Sequence, residues 1–258
     1  MITATSGGGL GDRSDGLPRP YRVASLRQEN HRTRTVILDG PVDAEPGQFC
    51  MLWLPGLDEK PFSVAAASPA AFTIAAVGPF SRAVHALAPG DRIWLRGPFG
   101  RPFQLQGRDA LLVGGGYGVA PLLLLASRAL AAGHRVRVAI GARGEGDLLL
   151  ADGFRQLGID PILTTDDGSQ GQRGRVTEAL APLMDADPPD ALYACGPHGM
   201  LAALADLAGK HRVPAQLSWE AYMRCGIGIC GSCEQDGLLL CADGPVLVDD
   251  PVLREERS

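Results

Sequence analysis

The sequence predicts a multidomain β plus α/β protein: a small β-barrel, a doubly wound parallel α/β sheet, and a short cysteine-bearing C-terminal unit. Three observations carry this reading. Short apolar runs split by Pro-Gly and Gly-Pro pairs fill the first third of the chain. Strands alternating with helical stretches fill the middle. Four cysteines crowd the end, in CGIGICGSCEQDGLLLC.

Taken in order, residues 1–18 are rich in Gly and Ser and lack both a basic start and an apolar core. They are expected to form a disordered tail and not a signal peptide. Residues 19–106 hold RTVILD, QFCMLWL, FTIAAV and RIWLRG, short strands at the spacing of a barrel or sandwich. Cys50 is expected there as a small buried hydrophobe. Residues 107–213 hold the strands ALLVGG, RVRVAIGA, DPILTTDD and ALYACGP. The helical stretches PLLLLASRALAAG and HGMLAALADLAGK lie between strands, each closed by a Gly near its C-terminus. Residues 214–258 form the cysteine-bearing unit. A net charge of -5 over 258 residues gives no reason to expect nucleic acid, and no apolar stretch is long enough to span a bilayer. A cytoplasmic location is the default expectation.

The segment LLVGGGYGVAPLLLL places Gly114, Gly115, Gly116 and Gly118 between a strand and a helix. Missing side chains let a phosphate chain approach the backbone, where the helix N-terminus supplies N–H donors and a positive dipole end. Pro121 suits the first turn, where no N–H is needed. The spacing departs from G-x-G-x-x-G, because Pro121 takes the third glycine's place; a plain tight turn is the alternative. Two other strand ends, one carrying Asp166 and Asp167 and one carrying Cys195, Gly196 and Pro197, would share a crevice with this loop. Read singly, each is an ordinary turn. In the β region, Lys60 could meet a phosphate and Ser63 could hydrogen-bond one, with Pro61 and Phe62 between them in an extended segment. A solvated turn is the alternative there.

Cys225, Cys230, Cys233 and Cys241 follow C-x4-C-x2-C with a distal Cys, the spacing of a plant-type 2Fe–2S centre. Each iron takes two thiolates, so four is the required number. Gly226, Gly228 and Gly231 would let the loop wrap the cluster and turn N–H groups toward sulfur. Structural zinc is the rival, but only Cys230 and Cys233 form its C-x2-C knuckle. Disulfides suit neither the glycine-rich loop nor a chain without a secretory signal.

From about Tyr21 to Val252 the chain resembles the electron-transfer subunits of class 1B dihydroorotate dehydrogenase, in the ferredoxin-reductase-like flavoprotein superfamily. KPFS is similar to the family's R-P-x-S flavin motif, with Lys60 where Arg is usual. The adjoining segment with Ala76, Val77, Gly78 and Ser81 resembles the rest of the flavin site. GGGYGVAPL, TDDGSQGQRGRVT and YACGPHGML resemble the pyridine-nucleotide segments, and SWEAYMRCGIGICGSCEQDGLLLCADGPVL resembles the cluster domain. The loop before Cys241 is shorter than the family's.

The resemblance implies a six-stranded FAD-binding barrel, an NAD-binding sheet and a 2Fe–2S domain. It also implies a partner, the FMN-containing catalytic subunit, in a heterotetramer of two chains of each kind. Electrons would pass from the partner's FMN through the cluster and FAD to NAD, with no side-chain acid or base required in this chain. The same modules occur in diaphorase-type subunits of hydrogenase or ferredoxin–NADP reductase complexes. A non-enzymatic scaffold that has lost flavin is a further alternative, suggested only by Lys60.

Overall fold

The computed structural model describes residues 16–249. The expected N-terminal tail therefore falls almost wholly outside the described residues.

The first sheet is built from β1 (Arg19–Asn30), β2 (Thr33–Leu38), β3 (Phe49–Leu54), β4 (Asp58–Ser63), β5 (Ala66–Ala67), β6 (Ala70–Ala75) and β7 (Arg92–Phe99). Its order is β4-β3-β7-β1-β2-β6-β5, and every pairing is antiparallel. The six expected strands are thus present, with the two-residue β5 added at one edge. Alternating side chains from these strands bury Val36, Leu52, Phe72 and Ile93 in one core, together with Cys50. Helix α1 (Pro79–His85) sits between β6 and β7.

The second sheet begins with β8 (Asp109–Gly115) and continues through α2 (Val119–Ala131), β9 (Arg135–Ala142), α3 (Ala151–Gln156), β10 (Ile162–Thr165), β11 (Gln172–Arg173), α4 (Val176–Ala186), β12 (Ala191–Cys195), α5 (His198–Lys210) and β13 (Ala215–Ser218). These strands are parallel. Neighbouring residues of β8 enter opposite cores: Leu112 packs with Leu122, Leu125 and Phe154, whereas Leu111 packs with Leu180 and Leu201. Helices on both faces are what continuous apolar strands require. Strand β13 lies beyond residue 213, where the sequence reading ends this sheet. Polar Gln216 and Ser218 had hidden it; both are buried, and Gln216 hydrogen-bonds Gln104.

The C-terminal unit adds the small hairpin of β14 (Glu234–Gln235) and β15 (Leu238–Leu239). Strand β16 (Val246–Asp249) then returns to the second sheet, antiparallel to β13, completing the order β11-β10-β9-β8-β12-β13-β16.

Helix α2 ends as expected on a left-handed glycine, Gly133, with the His134 N–H reaching back to the Ala129 carbonyl at 3.0 Å. Helix α5 does not stop at its glycine. Gly209 stays helical, and the left-handed position falls to Arg212 at φ 54, with Val213 N–H bonded to Ala208 at 2.9 Å.

Candidate functional site

The carboxyl ends of β8, β9, β10 and β12 open on a cleft of about 560 Å³, with Gly115, Gly116, Asp166 and Pro197 in its walls. Gly116 has φ +55 and Gly118 approaches β12 so closely that a Cβ would stand 2.5 Å from the Cys195 carbonyl. The backbone conformation at Gly116 therefore disfavours a side chain, and at Gly118 there is no space for one. Arg32, Arg143 and Arg175 bring guanidiniums to this cleft beside the N-terminus of α2, opposite Asp147, Asp166 and Glu220, with Arg32 paired to Asp147 at 3.1 Å. Thr164 adds a buried hydroxyl with no hydrogen-bond partner. An orphaned donor, three guanidiniums and a helix N-terminus fit a polyanionic, hydroxyl-rich dinucleotide.

Not every expected residue faces this cleft. Asp167 is held in its own turn, accepting hydrogen bonds from the Ser169 N–H at 2.9 Å and hydroxyl at 2.6 Å. Gly114 packs against Val119, and Pro121 is buried in the first turn of α2. Gly196 closes the β12 turn against Gly115.

A second cleft of about 270 Å³ lies between the two sheets. Pro61, Phe62, Ser63 and Val77 line it from the first sheet, and Gly118 and Cys195 from the second. Val77 and Tyr117 expose much of their apolar surface at its edge. A slot with apolar walls and a few polar atoms fits a planar flavin ring. Burial pushes the Cys195 thiol up to about 12, so it shapes the wall as a neutral group and is no nucleophile at neutral pH. Ser81 does not reach the cleft. Its hydroxyl oxygen accepts from Val77 and Gly78 N–H groups at 3.0 and 2.9 Å and fastens the start of α1. Ala76 and Gly78 are the flanking backbone of that turn. Lys60 is also outside the lining: its ammonium pairs with Asp58 at 2.7 Å and lies 5.6 Å from the Tyr222 ring centre.

Beyond this cleft Cys225, Cys230, Cys233 and Cys241 stand along one stretch of chain, Cys233 and Cys241 buried, Cys225 half-buried and Cys230 exposed. Among the described residues no three His, Cys, Asp or Glu side chains gather as they would around one metal ion. Four cysteines at this spacing supply the two thiolates that each iron of a 2Fe–2S cluster takes, whereas only Cys230 and Cys233 form a zinc-type C-x2-C knuckle. Backbone N–H groups converge on the sulfurs. The Gly228 N–H points to Cys241 Sγ at 3.2 Å and the Cys241 N–H to Cys233 Sγ at 3.4 Å. Burial resists ionisation of Cys225, but N–H groups of Ile227, Cys230 and Ile229 outweigh it and bring the thiol down to about 6. Such donors stabilise thiolate ligands.

Residues 220–252 match the family model for the iron-sulfur cluster binding domain of dihydroorotate dehydrogenase B, and residues 112–206 match the oxidoreductase NAD-binding domain. A probable dihydroorotate dehydrogenase B (NAD(+)) electron transfer subunit from Methanopyrus kandleri is 43% identical over 234 residues, covering 89% of each chain. One from Methanocaldococcus jannaschii is 38% identical, again over 89% of each. The chain belongs to the dihydroorotate dehydrogenase B electron-transfer family. A solved NADH-dependent reduced ferredoxin-NADP oxidoreductase chain superposes with a TM-score of 0.80 at 28% identity, covering 91% of each chain. The ferredoxin-reductase-like fold is thus shared well beyond the dihydroorotate dehydrogenase B family.

Glu220 is a site residue that the sequence reading missed. It borders both clefts, takes a 3.3 Å hydrogen bond from the Tyr117 hydroxyl, and offers its carbonyl to His198 Nε2 at 3.1 Å. It stands open to the cleft, yet desolvation by the cleft walls raises its carboxyl above the ordinary glutamate range, against the pull of Tyr117 and His198. No local signal in the sequence marks it: Glu220 lies two residues beyond β13, at a strand end where ligands gather, and that strand is itself not legible in the sequence. Among the described residues no helix is long and apolar enough to cross a membrane.

Proposed function

We propose that this chain is the electron-transfer subunit of an NAD-dependent dihydroorotate dehydrogenase. It is an oxidoreductase component with FAD in the cleft between the sheets, NAD in the larger cleft and a 2Fe–2S cluster on Cys225, Cys230, Cys233 and Cys241. One observation carries the reading: Trp219, Glu220, Ala221 and Met223 line the inter-sheet cleft, and the same segment runs straight into Cys225. Flavin wall and cluster loop are one stretch of chain. Bound FAD would supply the exchange between two-electron chemistry at nicotinamide and one-electron chemistry at the cluster.

The chain's own residues place and tune these groups. Pro61, Phe62, Ser63 and Val77 seat the flavin, with Ala76, Gly78 and Ser81 shaping the adjoining turn. Gly115, Gly116, Thr164, Asp166 and Pro197 receive the dinucleotide, while Gly114, Gly118, Pro121 and Gly196 permit the close packing beneath it. Asp167 acts through its turn, and Lys60 through its Asp58 pair. The labour divides between a flavin segment from residue 19 to 106, a nucleotide segment from 107 extended to take in β13, and the cluster segment that follows.

The partner is the catalytic subunit, which we take to carry FMN and to assemble as two chains of each kind. The test is co-expression with a catalytic subunit, followed by flavin analysis, light scattering and an assay of orotate formation. NAD-dependent orotate production by the pair, and not by the catalytic subunit alone, is expected. A pair that forms yet leaves NAD unreduced would defeat the reading.

A further inference from the structure

Arg96 lies on β7 opposite Met51, beside an irregularity in the β3–β7 pairing. Its guanidinium is fixed on several sides. Nε and Nη2 donate to the two carboxylate oxygens of Glu59 at 2.8 Å each. Nη2 also donates to the Cys225 carbonyl at 2.9 Å. The Phe99 ring lies 5.4 Å away. The Arg96 and Glu59 side chains are only 13% and 23% exposed, so solvent screens this pair less than a surface pair. The next residue of the cysteine loop is pressed onto the same strands: a Cβ on Gly226 would meet Met51 at 3.1 Å and Phe99 at 3.2 Å. Glu59 precedes Lys60 of the flavin motif. One fork-to-fork pair therefore joins the flavin-motif strand, the barrel wall and the first cysteine.

We propose that Arg96, oriented by Glu59, is a positioning residue that docks Cys225 on the barrel, and that the ordered pair, its guanidinium against the Cys225 carbonyl and its carboxylate against the guanidinium, helps to set the cluster's reduction potential. This rests on the cluster reading above. The two partners then act with opposite sign. A cation near the cluster favours the added electron, and an anion disfavours it. Planar, bidentate geometry explains why arginine occupies the position, because lysine keeps the charge but not the fork.

The experiment is a reductive titration of purified, flavin- and iron-loaded protein, following the cluster by electron paramagnetic resonance. Arg96→Gln should move the cluster midpoint to more negative potential, Glu59→Gln to more positive potential, and Arg96→Lys much less than Arg96→Gln. If Arg96→Gln does not retain its cluster, the Glu59→Gln and Arg96→Lys variants decide. Midpoints that stay put, or that move the same way for both partners as general loosening would cause, overturn the proposal. Absence of any reduced-cluster signal in the unsubstituted protein would instead defeat the underlying cluster reading.

Discussion

Gly116 and Gly118 stand two positions apart, yet a methyl group should harm each for a different reason. At Gly116 the new Cβ meets nothing within 4 Å, so Gly116→Ala carries only the left-handed backbone penalty, about 1 kcal/mol. At Gly118 it would stand 2.5 Å from the Cys195 carbonyl oxygen and 2.7 Å from the Gly196 nitrogen, both backbone. Gly118→Ala should therefore lose about 3 kcal/mol, the upper end of overpacking, and shift the β12 turn. Denaturant melts of the two variants check this ordering, and equal losses would refute it. Glu220 supplies a pH prediction. Its carboxyl is raised by desolvation, so in the folded protein it stays neutral to higher pH than in the unfolded chain. Its ionisation works against folding, with that effect absent at acid pH and growing as pH rises through the raised value. The same negative charge repels an anionic dinucleotide. NADH affinity should fall as pH climbs from the ordinary glutamate range toward neutrality, and Glu220→Gln should flatten that fall. Parallel pH profiles for the two proteins would count against it.

The cysteine loop makes a prediction as an element. Because each iron of a 2Fe–2S cluster takes two thiolates, Cys225→Ser and Cys233→Ser should each strip an iron of a ligand. Both should abolish the reduced-cluster resonance while flavin stays bound, as read from the visible spectrum. Loss of flavin together with the cluster would contradict it. The end of α5 makes another. Arg212 holds a left-handed conformation that glycine adopts without strain, and its side chain also makes a contact, so in denaturant melts Arg212→Gly should be more stable by about 1 kcal/mol than Arg212→Ala, which loses the same contact and keeps the strain. These two elements also mark what could be read from sequence. The cysteines and the glycine loop were legible because their chemistry depends on spacing within a short segment. The end of α5 was not, because a helix carries through Gly209 when its next turn can still pack, and Val213 supplies that packing. Asp166 and Asp167 were indistinguishable in sequence. Ser169, whose N–H and hydroxyl both tie down Asp167, separates the cleft residue from the turn residue. Arg96 with Glu59, and β13 with β16, depend on partners far along the chain, which no local pattern encodes.

The return of β16 decides how the whole molecule unfolds. This strand lies C-terminal to every cysteine, yet it forms the edge of the nucleotide sheet. Val246 is buried in that sheet's core beside Phe103, and a Cβ on Gly47 of the flavin segment would meet it at 2.8 Å. Its neighbour Pro245 accepts the Trp219 N–H at 2.9 Å and packs over Gly100. Barrel, sheet and cluster loop thus share one contact region, and none can open there without disturbing the others. Independent domains would lose flavin and cluster at separate temperatures. Shared packing predicts that both are released in one transition. Val246→Ala removes two buried methyl groups at the junction, so a loss of about 1–3 kcal/mol is expected. Flavin fluorescence and cluster absorbance, followed in the same thermal ramp, should both shift to lower temperature by the same amount. A variant in which only the cluster signal moves would show that β16 serves the cysteine loop alone, and would disprove the coupling argued from Val246.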